Sequence, residues 1–416
     1  MVLRCDQGSK GVIGGRGAFA RLWAGQTASV FGTSVSALAL PTVAILSMHA
    51  PAYLVGVLEA AQFAAYPFLG LAAGVWVDRW SRRRTMLIAD IVRGLALCTI
   101  PLAALWGVLS IAQLVVVALI VGAASVFFDI AYQAFVPSLV ETAWLEHANA
   151  RLVASNEAAM LAGSGIAGVL IAAIGAPLAV AVDAATYVVS IFSLAGIRVR
   201  EAHRDALDRD APMAFRAALV DGLRIVFGSA VLRAILGSTA CVNFGWSIVS
   251  AVWLLYFYRV LHFSPLLAGA IIACGNLGFV GALAAPALGR RIPAGRLMIV
   301  TLLGTVAATF AIPLASVMQP IPVMLAVQIT AALCIPAYNV TQVSLRQRLV
   351  APEQLGRMSA TMKTVVWGVM PVGALAGGAL GSTIGIVPTI CVGAVVMLSA
   401  IPWLFAREIR ALPRAA

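Results

Sequence analysis

Apolar stretches about as long as a bilayer is thick recur from residue 20 to residue 405, and no other feature narrows the possible folds as far. A helix rising ~1.5 Å per residue needs about 20 apolar residues to cross ~30 Å of hydrocarbon, where unpaired backbone groups are too costly to persist. Twelve runs read as helical spans, at 20–46, 52–77, 85–106, 111–136, 150–173, 177–197, 231–256, 264–288, 297–317, 321–345, 359–383 and 386–405. Hydrophobic residues make up 62% of the 416, above the roughly 45–50% of soluble domains. The first sixteen residues are polar and glycine-rich, without a short apolar core before a small-residue cleavage site, so the first span is expected to insert and stay.

The net charge of +12 is spread along the chain in a regular way. Basic residues occupy the N-terminal segment (Arg4, Lys10, Arg16, Arg21), every second break between spans, and the tail (Arg407, Arg410, Arg414), whereas the intervening breaks hold little beyond Arg259. By the positive-inside rule the arginine-rich breaks and both termini are expected in the cytoplasm. No single basic face emerges, so no nucleic-acid partner is expected. Six scattered cysteines and four separated histidines offer no metal-ligand spacing, and neither lysine sits in a phosphate-binding loop. No catalytic set, metal or cofactor is expected.

The longest internal break, "RVREAHRDALDRDAPMAFR" (198–216), divides the spans six and six and reads as a cytoplasmic linker, extending to about 230. The halves carry a weak repeat. "LVETAWLEHANA" from Leu139 aligns with "LVAPEQLGRMSA" from Leu349, and "FLGLAAGVWVDR" from Phe68 with "FVGALAAPALGR" from Phe279. Six spans separate the copies, which makes the repeat parallel. The expected fold class is an all-α membrane protein of two parallel-repeat six-helix bundles, at 1–197 and 217–416.

At "GVWVDRWSRRR" the sequence resembles the major facilitator superfamily, whose loop after the second span carries a glycine, an acid four residues on, a basic residue and a basic pair; Gly74, Asp78, Arg79, Arg82 and Arg83 match. Ser81 stands where the family usually has glycine. The stretches "FFDIAYQAFVPSLV" from Phe127, "LEHANARLVASN" from Leu145 and "LAVAVDAATYVVS" from Leu178 resemble the branch containing macrolide-efflux and enterobactin-export proteins. That resemblance implies export across a bacterial cytoplasmic membrane. It also implies that Gly74, Asp78, Arg79, Arg82 and Arg83 form a latch between the halves, with Asp78 facing the N-terminus of span eleven when the cytoplasmic side closes; the alternative is that Arg79 and Arg82 to Arg84 only orient spans two and three. The second copy has Gly289 in place of the acid, so the latch is one-sided. "LAGSGIAGVL" from Leu161 is similar to the family's antiporter motif, with Ser164 in place of proline.

Ionisable residues inside spans are costly and call for a partner, a watery cavity or a function. Glu59 in span two has no basic residue near in sequence, and it reads either as a proton carrier, since desolvation favours the protonated form of a carboxyl, or as a group that reaches outside water or hydrogen-bonds in a neutral state. Asp90 and Arg93 on span three and Asp129 on span four stand at similar depth, either as a structural charge cluster or as a proton relay. Asp183 reads as a solvated or hydrogen-bonded end group. The second half has no acid inside its spans, which assigns proton handling to the first.

Polar and aromatic residues at helical spacing supply candidates for a substrate cavity: Gln26, Thr33, Gln62, Tyr66, Tyr132 and Gln133 in the first half, and Asn243, Trp246, Trp253, Asn276, Tyr338, Asn339 and Gln342 in the second. For each, hydrogen bonding between helices is an equal alternative. The expected partners are a small-molecule substrate, protons and the lipid bilayer, for a monomeric exporter of a hydrophobic or amphipathic compound; a siderophore or metabolite exporter, or a non-transporting receptor, are the alternatives.

Overall fold

The computed structural model describes residues 15–141, 144–197, 211–351 and 354–405, without the side chains of 70–75, 78–79, 211–219 and 279. All regular structure among these residues is helical. The first half comprises α1 (Gly15–Thr42), α2 (Ala52–Arg79), α3 (Arg82–Leu105), α4 (Ile111–Leu139), α5 (Leu145–Ile174) and α6 (Ala176–Ala195). After α7 (Ala211–Gly228) come α8 (Ala230–Leu255), α9 (Pro265–Gly275), α10 (Phe279–Arg291), α11 (Ala294–Ala311), α12 (Pro320–Leu349), α13 (Leu355–Thr383), α14 (Ile386–Leu398) and α15 (Ile401–Leu404). Taking α9 with α10 and α14 with α15, twelve segments are long and apolar enough to cross a membrane, at the places read from the sequence.

Local chemistry sets the helix ends. Ser81, Ser110, Ser229 and Ser264 cap α3, α4, α8 and α9 by accepting a backbone N–H in the first turn. Ser81 thus starts α3 directly at the arginine cluster. Gly175 and Gly385, at φ 85° and 94°, turn the chain between α5 and α6 and between α13 and α14 in an extended positive-φ conformation that is essentially confined to glycine. The repeat reaches the backbone: α1 and α8 each run into a wider π-helical turn, Val43–Ser47 and Tyr256–Val260, and each is followed by a histidine at positive φ, His49 or His262.

The linker region contains α7, which docks on α13 rather than spanning. Gly222 permits the approach, since a Cβ there would lie 2.8 Å from the Arg357 carbonyl, and Asp221 pairs with Arg357 at 3.0 Å.

Helices α1 to α6 pack mainly on one another and α8 to α15 likewise, while α2 with α13, α5 with α9, and α2 with α8 cross between the halves. The two ends of these bundles differ. At the end away from the arginines, one apolar core runs through both halves, from Val35, Leu38 and Leu58 to Val252, Tyr256 and Phe257. Among the described residues, the clusters toward the arginine-rich end stay within one half: Phe19, Met86 and Phe135 in the first, and Met298 with Leu404, or Val226 with Met358, in the second.

Glycines make the shared seal possible. A Cβ on Gly56 would lie 2.6 Å from the Ala374 carbonyl and one on Gly168 would lie 2.6 Å from the Pro265 carbonyl, so the backbones of opposite halves touch at both crossings. Polar links complete it. Thr42 Oγ1 and Tyr258 OH share a hydrogen bond at 2.9 Å, Tyr53 N donates to Ser382 Oγ at 2.9 Å, and Arg259 donates to the Ala50 carbonyl at 2.7 Å.

Candidate functional site

The first half carries its charge in two layers. In the inner layer, Asp90 and Arg93 form an ion pair within α3, with both residues buried. Ser190 of α6 donates to the other Asp90 oxygen at 2.7 Å, and the Arg93 guanidinium lies between the rings of Phe128 (4.2 Å) and Tyr187 (4.6 Å). The cation therefore has a carboxylate and two aromatic faces instead of water, a combination able to hold it in a low dielectric.

Asp129 stands within electrostatic reach of Arg93 without a direct ion pair to it. Arg93 is turned toward Asp90, and Asp129 instead accepts a 2.9 Å hydrogen bond from Tyr66 OH of α2. Tyr66 in turn packs on Trp367 of α13, with ring centroids 4.4 Å apart, and Phe63 approaches the same indole at 6.3 Å. A carboxyl of the first half thereby connects through one phenol to the second half.

Glu59, two turns nearer the sealed end on α2, lies within reach of Ser250 of α8 and so also faces the second half. Among the described residues neither Glu59 nor Asp129 has an ion-pair partner. Asp183 is buried, and Thr186 donates to it at 3.4 Å. Gly32 makes room for that contact, because a Cβ there would lie 2.6 Å from Asp183 Oδ1.

The cavity candidates divide between the opening and the helix interfaces. Trp246 and Trp253 pack along α8 with centroids 5.9 Å apart, and Thr33, Gln133 and Asn339 are exposed. Gln26 Oε1, Tyr132 OH and Gln342 Oε1 are buried without a hydrogen-bond partner among the described residues, leaving them available to a ligand or to water. Gln62 is half-buried, its carbonyl against Gly122 of α4. Three others serve packing instead. Tyr338 is buried with its hydroxyl on Ser238 at 3.2 Å, Asn243 donates to Thr239 of its own helix at 2.9 Å, and Asn276 donates to Ser164 across the halves at 2.7 Å.

At the arginine cluster, Arg82 donates to the Ala134 carbonyl at 2.8 Å, and Arg83 donates to those of Leu194 and Ala195 at 2.8 and 2.7 Å. Arg83 thus caps the last turn of α6, where a cation is favourable, and Arg82 ties the start of α3 to α4. The placement of Gly74, Asp78 and Arg79 side chains lies outside the described residues.

Sequence reading missed Lys363 and Trp367, which lie one turn apart on α13. The signal was available, since only two lysines occur in the chain and one of them falls inside a span.

Two six-span halves, joined at one end and separate at the other around a polar and aromatic junction, define a membrane transporter, not an enzyme. The chain belongs to the Major Facilitator Superfamily, whose model matches residues 22–371. It is 27% identical over 384 residues to the multidrug efflux pump Tap of Mycobacterium tuberculosis, covering 88% of this chain and 89% of that protein. Tap of Mycolicibacterium fortuitum is 26% identical over 328 residues, covering 76% and 78%. The fold is similar to that of the nucleoside transporter NupG (TM-score 0.73, 13% identity, covering 95% of this chain and 100% of that one). A bacterial homologue of the iron transporter ferroportin in the inward-facing state is also similar (TM-score 0.76, 15% identity, covering 93% and 97%).

Proposed function

We propose that this protein exports a drug-like, amphipathic small molecule across a bacterial cytoplasmic membrane in exchange for protons, with its arginine-rich end in the cytoplasm. The observation that carries this reading is the placement of the two acids without ion-pair partners. Glu59 meets Ser250, and Asp129 connects through Tyr66 to Trp367, so both carboxyls stand at the junction of the halves. A group at that junction is exposed to different surroundings each time the halves rock, which is the requirement for binding a proton on one side and releasing it on the other.

The shared core at the far end and the separate cores at the arginine-rich end correspond to a state open toward the cytoplasm. Trp246 and Trp253 beside the shared core, Tyr66 and Trp367 where the halves meet, and neutral amides suit an apolar body with a few hydrogen-bonding groups. Similarity to the multidrug efflux pump Tap supports the direction of transport and the kind of cargo.

The test is flux in inside-out vesicles with an imposed proton gradient. Glu59→Gln and Asp129→Asn should each abolish proton-driven uptake of exported compounds while the amount of protein in the membrane is unchanged. Proton-driven flux at the parent rate in both variants would exclude this coupling scheme.

A further inference from the structure

We infer that Lys363 is the partner of Asp129 when the arginine-rich end closes, so that an ion pair between the halves holds that state shut and a proton on Asp129 releases it. The inference rests on the reading that the halves rock and that Asp129 titrates during the cycle.

The geometry carries it. Lys363 is a cation placed inside a span, yet it makes no hydrogen bond or ion pair among the described residues and is exposed. Four residues on, Trp367 packs against Tyr66, the residue that donates to Asp129. Lys363 therefore shares the face of α13 turned toward α2, one turn nearer the arginine-rich end.

The depths match. Lys363 lies eight residues into α13 and Asp129 ten residues before the end of α4, or about 12 and 15 Å from the same end at the helical rise. The Lys363 charge already falls within electrostatic reach of Asp129, although no direct pair has formed. Since the two halves hold separate cores at this end, bringing them together moves α13 toward α4 and closes the remaining distance.

The surroundings leave Asp129 free for this partner. From α2 it faces Tyr66, from α3 Arg93, and from its own helix Tyr132. Arg93 is engaged with Asp90, and α1 carries charge only at Arg16 and Arg21 near its start. When Asp129 takes up a proton it becomes a neutral acid, so the pair is lost and the arginine-rich end can open.

The experiment measures distances across that end in the full chain, with native cysteines replaced by serine and the protein in lipid nanodiscs. Nitroxides are placed at Asn149 of α5 and Gly356 of α13, exposed positions on opposite halves, the second with no atom near an added side chain. The parent should show a short-distance population at neutral pH that shrinks on acidification. Lys363→Gln and Asp129→Asn should each reduce it at least threefold, the double variant should reduce it no further, and Lys363→Arg should retain it.

An unchanged distribution in Lys363→Gln, additive losses in the double variant, or a parent without any short-distance population would each overturn the pair. If Lys363→Gln depletes that population while vesicle flux proves independent of the proton gradient, the pair stands and proton antiport falls.

Discussion

Asn276 Nδ2 donates to Ser164 Oγ at 2.7 Å, joining the break in the eighth span to the fifth span across the two halves. Asn276 also reaches the Met160 carbonyl at 3.3 Å, and it stands where α9 ends and a three-residue tighter turn leads into α10. Ser164 occupies the place that proline takes in the family's antiporter motif. The serine keeps a hydroxyl where a proline ring would offer no polar group, and the chain uses it to tie one half to the other.

A hydrogen bond between membrane helices is worth about 0.6 kcal/mol on average, or roughly a threefold change in a two-state equilibrium. Ser164→Ala and Asn276→Ala should each shift the population away from the sealed far end by about that factor. The double variant should shift it no more than either single one, as read from label distances between the ends of α5 and α9 at the sealed side.

The glycine crossings should respond by geometry and not by composition. Gly168→Ala sets a Cβ 2.6 Å from the Pro265 carbonyl, whereas one on Gly165 makes an ordinary 3.7 Å contact with Ala273. Transport assayed in proteoliposomes should therefore fall severalfold in Gly168→Ala and stay near the parent rate in Gly165→Ala.

Breaking the buried pair from one side should be worse than removing it. Losing one partner of a buried ion pair costs roughly 3–5 kcal/mol, because the other charge is left uncompensated. Arg93→Gln should lower the thermal unfolding midpoint in detergent, and adding Asp90→Asn to it should recover much of the loss. Equal midpoints for the single and double variants would mean that Asp90 is not charged in the folded protein.

The proposed latch at Asp78 predicts a kinetic effect. Asp78→Asn should slow turnover several-fold while changing substrate affinity little, measured by initial rates alongside equilibrium binding. An affinity change with turnover intact would count against the latch.

The sequence by itself determined the number of spans and their positions, because crossing a bilayer is a local condition on length and hydropathy that each segment meets alone. The repeat was legible too, and its trace in the backbone, His49 and His262 after paired π-helical turns, lies at corresponding points of both halves. What each helix turns toward its neighbours was decided only by the tertiary structure. A span that is apolar all round marks no face, so its rotation about its own axis is fixed by packing, above all where Gly56, Gly168 and Gly32 allow backbones to meet. That rotation directs Tyr338 into a core, turns Arg93 onto Asp90 and gives Asp129 to Tyr66.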